Sequence, residues 1–389
     1  MSQVTCFHSQ IEANDRVDSF CVGNVAQIDE AAGKFKIGCE MVEPRTVELN
    51  ESSLPMGQFH RYWYETGPQA VMDSFVDFDP HMELLPQARD ARTNIILLKR
   101  EGEGNPWHSL MEIMSLSMSL DVLQMTPRDG PEGIGPPFLT PEDGENTQVV
   151  ILDDKADGPF FDLWRLFAKK PTIRLAQLPA QTGIRDIIIP LPGGSNPVWR
   201  GDWEPNDCGH SELLRTFSRR VLNHFHITDK TEESRDTVVV TFIHRLGTRK
   251  LLEAEEHIAA LRRRYLKSHA SIHLVDLAAL PLQEQIQIVR NTDVLAGVHG
   301  AGLTHGLWMR ERSVMVEILP EDFKHKGFRN LAGALGHSYF STHGSLVEPG
   351  RGNWQQDDVS IDQKKFDEVM DIAIKSMYNT GRFDYDVSE

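Results

Sequence analysis

One short turn carries the residues that could do chemistry in this 389-residue chain. The segment DVLAGVHGAGLTHGLWM, residues 293–309, predicts an apolar strand, a glycine-rich turn and a helix that begins at Leu303. Glycine leaves no side chain in the way of a ligand, and N–H groups at a helix start bind anions. We therefore predict a phosphate or diphosphate site, formed by His299, Gly300, Ala301, Gly302, Leu303 and Thr304. A purely structural turn with two packing glycines is the alternative.

Two arginines and one glutamate are expected at the same edge of a sheet as this turn. Arg245 and Arg249 follow the strand TVVVTFIH, and Glu317 lies in the strand SVMVEIL that follows the turn. Guanidinium matches phosphate oxygens better than any other side chain, so two of them could neutralise a diphosphate without a metal. Glu317 could accept hydrogen bonds from ribose hydroxyls, or could instead be used in an ion pair that packs a helix.

A second group of polar residues lies at another glycine-rich turn, EGEGNPWH, before the predicted helix SLMEIMSLSMSLDVLQM. Asn105 and His108 belong to this turn and helix start, and Glu112 follows four residues after His108. Residues four apart share a helix face, and either His108 or Glu112 could be a general base. A structural His–Glu pair is the alternative.

The elements that position these residues form two series. TNIILLKR and TQVVILDD predict strands, and PFFDLWRLFAKK predicts a helix, whereas residues 190–210 are rich in Pro, Gly and turn residues and indicate a linker. After the linker, strands and helices alternate regularly, which is typical of a parallel, doubly wound sheet. We predict an irregular segment at residues 1–90, with short strand-like pieces such as KFKIGCEMV. An α/β domain at 91–205, a Rossmann-like domain at 206–345 and a C-terminal helix and tail at 346–389 complete the expected organisation. Ligands of two such domains are expected in a cleft between them.

Composition narrows the function class. The formal net charge is −17, so a face that binds nucleic acid or an anionic membrane by charge is not expected. The basic run LRRRYLK is interpreted as a solvated helix face. No run of about 18 apolar residues predicts a transmembrane segment, and the first residues lack the pattern of a signal peptide. Cys6, Cys21 and Cys39 lie close in sequence, which fits either a local disulfide in a lumenal protein or free thiols in a cytosolic one.

Two rival enzyme classes and two minor motifs receive little weight. The chain has no G-x-S-x-G nucleophile elbow of the kind that lipases need. A nicotinamide dehydrogenase would carry its glycine-rich turn after the first strand of the domain, whereas here it follows the third. The sequon Asn50-Glu51-Ser52 fits a secretory protein, and Asp384-Tyr385-Asp386 matches a D-x-D metal motif in a polar tail.

Several of these segments resemble glycosyltransferase family 61. The resemblance is carried by NTDVLAGVHGAGLTHGLWM with SVMVEIL, by CGHSELLRTFSRRVLNHFHIT, by VTFIHRLGTRKLLEAEEHIAAL and by NPWHSLMEI. It covers about residues 95–345, is densest from 207 to 340, and is poor before residue 90. NPWHSLMEI is similar to the family's Asn-x-x-His-x-x-x-acid signature, carried here by Asn105, His108 and Glu112.

The resemblance implies a GT-B-like architecture of two Rossmann-like domains facing a cleft. It implies an inverting transfer of a sugar, GlcNAc from UDP-GlcNAc or another sugar such as xylose, to a Ser/Thr or glycan hydroxyl. The donor diphosphate would be held by residues 299–304, with Arg245 and Arg249 stabilising the leaving nucleotide, Glu317 near the nucleoside and Asn105 on the donor side. Glu112 or His108 would be the base. No metal or other cofactor is expected, manganese being unsupported by the sequence, and the endoplasmic reticulum or Golgi lumen is implied, with the cytoplasm as the alternative.

The chain departs from the family pattern at two points. The spacing between Arg245 and Arg249 is one residue shorter than in the family, and Glu253 of EAEE replaces a family Asn, with Glu256 in place of the family Glu. These departures favour a second function class, a catalytically inactive protein that binds a nucleotide sugar or glycan. Donor hydrolysis or transfer separates the two, because a binder shows affinity without turnover.

Overall fold

A computed structural model divides the chain into two compact units, Met1–Arg200 and Gly201–Glu389. It describes residues 3–9, 16–40, 54–83, 93–130, 133–228, 237–265, 269–347 and 355–378. The segment 190–210, which the sequence indicated as a linker, contains the point of division. Each unit is an α/β structure with its own main sheet, which confirms the predicted fold class.

The first unit is built on a mixed sheet. Its strands are β1 Val4–His8, β2 Ser19–Asp29, β3 Lys34–Ile37, β4 Val76–Phe78, β5 Thr93–Leu98, β8 Thr147–Ile151, β9 Ile173–Arg174 and β10 Ile184–Ile189, while β6 Pro127–Gly130 and β7 Gly133–Pro137 form a separate pair. The order is β4-β3-β2-β10-β5-β8-β9, with β1 also paired to β2. β10, β5, β8 and β9 run parallel, so the segments that follow β5 and β8 leave the sheet at one edge.

The prediction of an irregular segment at residues 1–90 needs correction. β1, β2, β3 and β4 all belong to the main sheet, and β2 pairs with β10, where Ala26 lies opposite Ile184. Phe35, Ile37 and Val76 are buried in the core of this unit. These strands are short or pair with strands distant in sequence, so local patterns predict them poorly.

Three α-helices lie in the described part of the first unit: α1 Pro68–Phe75, α2 Pro106–Met125 and α3 Pro197–Arg200. α2 is buried on nearly all sides, as its continuous apolar sequence predicts. Its polar residues Ser109, Glu112, Ser115 and Ser119 are also buried. The helix predicted for PFFDLWRLFAKK is only a short 3-10 helix, Phe161–Leu166.

The second unit contains a doubly wound sheet. Its strands are β11 Val238–Ile243, β12 Ala270–Val275, β13 Val294–Val298, β14 Val314–Pro320, β15 Ser338–Leu346 and β16 Val359–Ser360. The order is β12-β11-β13-β14-β15-β16, and all neighbours are parallel except the last pair. The strands of the centre are buried on both faces, which explains their continuous apolar sequences.

Helices of the second unit complete its core. They are α4 Glu212–His224, α5 Ala254–Arg264, α6 Leu282–Arg290, α7 Gly327–Leu335 and α8 Gln363–Tyr378. α5 and α8 pack in one apolar cluster with alternate residues of β11, β13 and β14. α8, which lies in the segment 346–389, is therefore part of this core. The helix predicted to begin at Leu303 is a 3-10 helix, Ala301–Trp308.

Cysteine pairing and membrane-spanning capacity were both questions raised by the sequence. Cys6 and Cys21 form a disulfide across β1 and β2, whereas Cys39 and Cys208 are free thiols. In the described residues, no helix has the length and apolar character needed to cross a membrane. The sequon at Asn50 and the D-x-D motif at Asp384 lie outside the described residues.

Candidate functional site

The predicted anion-binding residues of the second unit meet where the strand order reverses. In the sheet, β11 lies between β12, which is the next strand along the chain, and β13. This strand order is that of a flavodoxin-like sheet. Ligands of open α/β sheets bind at such a switch point, outside the carboxyl ends of the strands. Arg245 and Arg249 follow β11, and His299 and Gly300 follow β13.

Gly300 lies against both guanidinium groups. Its φ of 156° is in the region that favours glycine, and a Cβ there would be 2.2 Å from Nη1 of Arg245 and 3.3 Å from Cζ of Arg249. The missing side chain therefore allows two arginines to lie on the turn. Arg249 itself has a φ of 52°, a left-handed conformation, in the loop that follows β11.

The two arginines form a partly buried cationic pair. Burial lowers the pKa of Arg245, and burial together with the nearby charge of Arg245 lowers the pKa of Arg249 to about 10, so both remain protonated at neutral pH. Arg245 donates from Nε to the Thr248 carbonyl at 2.9 Å, and it makes no ion pair with any carboxylate that the structure describes. Like charges in a half-buried site repel each other, and a bound anion would relieve that repulsion.

Some residues of the turn offer backbone N–H groups to a ligand, whereas others are explained by packing. The first intrahelical bond of the 3-10 helix runs from Leu303 N–H to the Gly300 carbonyl, so the N–H groups of Ala301 and Gly302 precede it. A Cβ on Gly302 would lie 3.3 Å from Ile243, so close packing accounts for this glycine, as the structural alternative held. The side chains of Leu303 and Thr304 are buried, which leaves only their backbone for a ligand.

We expect Gly300→Ala to weaken binding of UDP, the nucleotide that the family resemblance implies, at least tenfold, because the new methyl group would displace Arg245 and strain the turn. Gly247→Ala is the matched control, since a Cβ at Gly247 meets no atom within 4 Å. Titration calorimetry with UDP measures both variants. Equal affinities for the two would show that the contact between Gly300 and Arg245 does not matter for binding.

His299, Glu317 and Tyr339 form a buried hydrogen-bonded chain beneath the turn. Nδ1 of His299 is 2.5 Å from Oε1 of Glu317, and the Tyr339 hydroxyl donates to Oε2 of the same carboxylate. Burial lowers the pKa of His299 although Glu317 opposes this, and burial with the Glu317 charge raises the pKa of Tyr339. Glu317 is 1% exposed and uses both oxygens inside the protein. We therefore interpret it as a positioning residue for His299, rather than the ribose contact expected from the sequence.

Aromatic side chains and a cavity lie next to this hydrogen-bonded group of three residues. The His299 ring lies 4.6 Å from Phe323 and 4.9 Å from His325, measured between ring centroids. His325 is held by Asp202 at 3.1 Å and accepts from Gly327 N–H at 3.2 Å. The cavity has a volume of about 540 Å³. Its lining residues are Leu319, Glu321, Asp322, Phe323, Lys324, His325, Lys326, Arg329, Tyr339, Ser341 and His343.

His108 of the first unit lies between two aromatic side chains. Its ring centroid is 4.4 Å from that of Trp199 and 5.5 Å from that of Tyr64, both in edge-on contact. Burial and, secondarily, the positive charge of Lys155 lower the pKa of His108. The imidazole is therefore neutral at neutral pH, which is the form that can accept a proton. It is half-buried and keeps a path to solvent.

Glu112 lies deeper, beside a second buried carboxyl group. Its Oε1 accepts from Glu101 N–H at 3.2 Å, and its Oε2 has no hydrogen-bond partner among the described residues. Burial, followed by the charge of Glu101, raises the pKa of Glu112 well above its ordinary value. Glu101 accepts from Gly194 N–H at 2.9 Å and from the Thr66 hydroxyl at 3.2 Å, and burial raises its pKa as well. Glu112 is 1% exposed, so an acceptor cannot reach it directly.

Replacing Glu112 by Gln is expected to change how stability depends on pH. Because the pKa of Glu112 is raised on folding, the folded state binds more protons, and wild-type stability falls as pH rises from the unfolded value of about 4.3 toward the folded one. Glu112→Gln removes this loss and should stabilise the protein by on the order of 1 kcal/mol at pH 8, with little gain at pH 4. Urea unfolding at both pH values measures it. An equal difference in unfolding free energy between the two proteins at both pH values would contradict the raised pKa of Glu112.

The candidate Asn105 and Glu253, the departure from the family pattern, have structural roles. The side chain of Asn105 accepts from Trp107 N–H at 3.0 Å, so it caps the start of α2. Glu253 precedes α5 with a φ of 55°, in a left-handed conformation that Asn tolerates better than Glu, and its side chain is exposed. Backbone conformation therefore explains a family Asn at this point without any ligand contact.

Sequence reasoning missed Glu101, Lys155 and Tyr339. Lys155 donates to the carbonyl oxygens of Arg100 and Glu101 at 2.5 and 2.8 Å and so holds the turn before α2. Tyr339 pairs with Met315 of the neighbouring strand, two positions before the residue that pairs with Glu317. The side chains of Tyr339 and Glu317 therefore lie on the same face of the sheet. Glu101 is the first residue of the glycine-rich turn EGEGNPWH, but the sequence of that turn does not indicate that its carboxylate is buried. Among the described residues, no cluster of three or more His, Cys, Asp or Glu could hold a metal ion.

Part of the chain is similar to one family of known proteins. Residues 195–316 match the sequence model described as Glycosyltransferase 61. The EGF domain-specific O-linked N-acetylglucosamine transferase of Drosophila melanogaster is 26% identical over 238 residues, which are 58% of this chain and 41% of that protein. The protein of the same name from Canis lupus familiaris is 31% identical over 177 residues, 44% of this chain and 33% of that one.

This chain therefore spans about two fifths of the length of the Drosophila relative. A crystal structure of a glycosyl transferase family 9 protein from Veillonella parvula aligns with 74% of this chain and 98% of its own, with a TM-score of 0.31 and 8% identity. Residues 195–316, which include Arg245, Arg249 and Gly300, are therefore similar to glycosyltransferase family 61.

Proposed function

We propose that the protein is an inverting glycosyltransferase that uses a UDP-sugar donor. The observation that carries this proposal is the contact of Arg245 and Arg249 with Gly300, at the switch point of the sheet. A leaving nucleoside diphosphate carries the negative charge that two guanidinium groups and the adjacent N–H groups would stabilise. The match of residues 195–316 to family 61 and the names of the relatives support the same reaction class.

Arginine pairs can replace a metal ion in this reaction. The charge that develops on the departing diphosphate is matched by the two guanidinium charges, which the fold holds in place before the donor binds. We therefore propose a donor site that works in the presence of a chelator, with UDP as the nucleotide. His299 would be held toward this site by Glu317 and Tyr339.

His108 is the better candidate for the base, although Glu112 shares its helix. A base in a single displacement must take the proton of the acceptor hydroxyl, so it has to be accessible and unprotonated. His108 is half-buried with a lowered pKa, whereas Glu112 is buried with a raised pKa. We propose that Glu112 and Glu101 hold the turn before α2, so that His108 keeps its orientation between Tyr64 and Trp199.

GlcNAc is the donor sugar we propose, since the relatives are named as N-acetylglucosamine transferases, with xylose as the other candidate. The acceptor hydroxyl would belong to a Ser/Thr side chain or a glycan. An endoplasmic reticulum or Golgi location is part of this proposal, and the Cys6–Cys21 disulfide supports an oxidising compartment.

Titration calorimetry in EDTA tests the donor site with UDP, UDP-GlcNAc, UDP-xylose and NAD. We expect UDP and one UDP-sugar to bind and NAD to fail, with no gain from added manganese. UDP release is then measured with the preferred donor and with chitotetraose, xylotetraose and a folded EGF-like domain as acceptors. Folded protein that binds no UDP would overturn the proposal. Binding without release of UDP would favour the inactive nucleotide-sugar-binding protein.

A further inference from the structure

Two exposed aromatic side chains follow each other in the sequence, and the second of them contacts the proposed base. Trp63 is 89% exposed and Tyr64 is 41% exposed. The Tyr64 ring also makes the edge-on contact with His108 at 5.5 Å and lies 5.8 Å from the Lys155 ammonium. An exposed indole offers a flat apolar surface on which the ring of a ligand can stack.

The segment that presents Trp63 is fixed from both sides. Tyr62 is 6% exposed, donates to Asp18 at 2.5 Å and packs against Gly67, whose φ is 89°. Arg61 forms ion pairs with Glu65, at 3.1 Å, and with Asp73. Trp63 is therefore held outward by anchored neighbours on either side, so its ordering on binding would cost little.

The size of the exposed patch limits what can bind. A tryptophan or tyrosine buries about 150–250 Å² at most, so these two side chains offer less than the roughly 800 Å² per partner of a stable protein interface. In the described part of the first unit, Met125 is the other large exposed apolar side chain, and it lies at the far end of α2. The patch suits a single ring with an apolar face.

We propose that the acceptor is a neutral glycan, one of whose pyranose rings stacks its C–H face on Trp63 and directs a hydroxyl toward His108. This inference rests on the proposed function and chooses a glycan over a Ser/Thr side chain as the acceptor class. A pyranose ring combines an apolar face with hydroxyl groups at its edge, which matches an aromatic surface beside a neutral imidazole. The charge of −17 disfavours an acidic glycan.

Calorimetric titrations of the full chain with chitotetraose, xylotetraose, mannotriose and a folded EGF-like domain test this proposal. We expect at least one oligosaccharide to bind, Trp63→Ala to weaken that binding tenfold or more, and Trp63→Phe to weaken it by less than about threefold. Met125→Ala is the control for loss of an exposed apolar side chain in the same unit. Thermal unfolding of each variant confirms folding, which is expected to be unchanged because Trp63 is exposed.

Three outcomes would overturn it: no binding of any of the oligosaccharides, equal affinity in Trp63→Ala, or binding of the EGF-like domain alone. A parallel UDP titration separates this failure from failure of the proposed function. UDP binding should be the same in wild type and Trp63→Ala. A wild-type chain that binds an oligosaccharide through Trp63 but not UDP would contradict the proposed function and leave glycan binding in place.

Discussion

Replacing Arg249 by Gln is expected to weaken UDP binding roughly 30- to 150-fold, since a charge-assisted bond to phosphate contributes about 2–3 kcal/mol. Glutamine removes the charge but keeps a long side chain, and it meets the same backbone strain as arginine at a φ of 52°. The loss should be similar with and without EDTA, because no metal takes part in the proposed contact. Titration calorimetry with UDP measures the change.

Arg263→Gln is the matched control for this substitution. Arg263 lies exposed on α5 of the same unit, in the basic run interpreted as a solvated face. Its replacement changes the net charge by the same amount and should leave UDP affinity within about twofold. Equal losses in the two variants would show that UDP responds only to overall charge, and would remove Arg249 from the site.

Replacing His108 by Ala is expected to reduce the rate of sugar transfer by about 10²- to 10⁴-fold, the usual contribution of a general base. UDP affinity should be unchanged, because the donor residues belong to the second unit. The measurement is UDP release with the donor and acceptor that support wild-type turnover, alongside a UDP titration of the same protein. Because the pKa of His108 is lowered, the wild-type rate should reach its plateau below neutral pH.

His81→Ala provides the control, since His81 is an exposed histidine of the same unit outside the site. A His108→Ala rate within threefold of wild type would rule out His108 as the base. If Glu112→Gln then reduced the rate a hundredfold without loss of stability, Glu112 would take that role instead. The two substitutions therefore decide between the candidates on one helix.

The second unit could be predicted closely from sequence, because its strands are buried on both faces. β11, β13 and β14 each show a continuous apolar sequence, and Arg245, His299 and Glu317 lie in or just after these strands as expected. Their meeting at one edge follows from parallel pairing alone. The contact between Arg249 and Gly300 could not be predicted, because the sequence does not indicate the left-handed backbone conformation of Arg249.

The first unit was harder to predict for a physical reason. One of the partners of β2 is β10, which lies more than a hundred residues later, and the sequence of neither strand predicts this pairing. Burial also distinguishes the two candidates for the base. His108 and Glu112 lie on the same face of the helix, but Glu112 is the more deeply buried of the two. Glu317 shows the same limit: Tyr339 and His299 occupy its carboxylate, and sequence spacing alone does not show which hydrogen bonds a side chain makes.

The contact between Gly300 and Arg245 also constrains the order in which substitutions can accumulate in this protein. A side chain at position 300 would meet the guanidinium at 2.2 Å, so it displaces Arg245 from the turn unless that arginine has first been replaced by a shorter residue. The reverse order is open, because shortening Arg245 leaves the turn intact. Related sequences that have lost this arginine are where we expect residues other than glycine to appear at position 300, and the two positions should vary together.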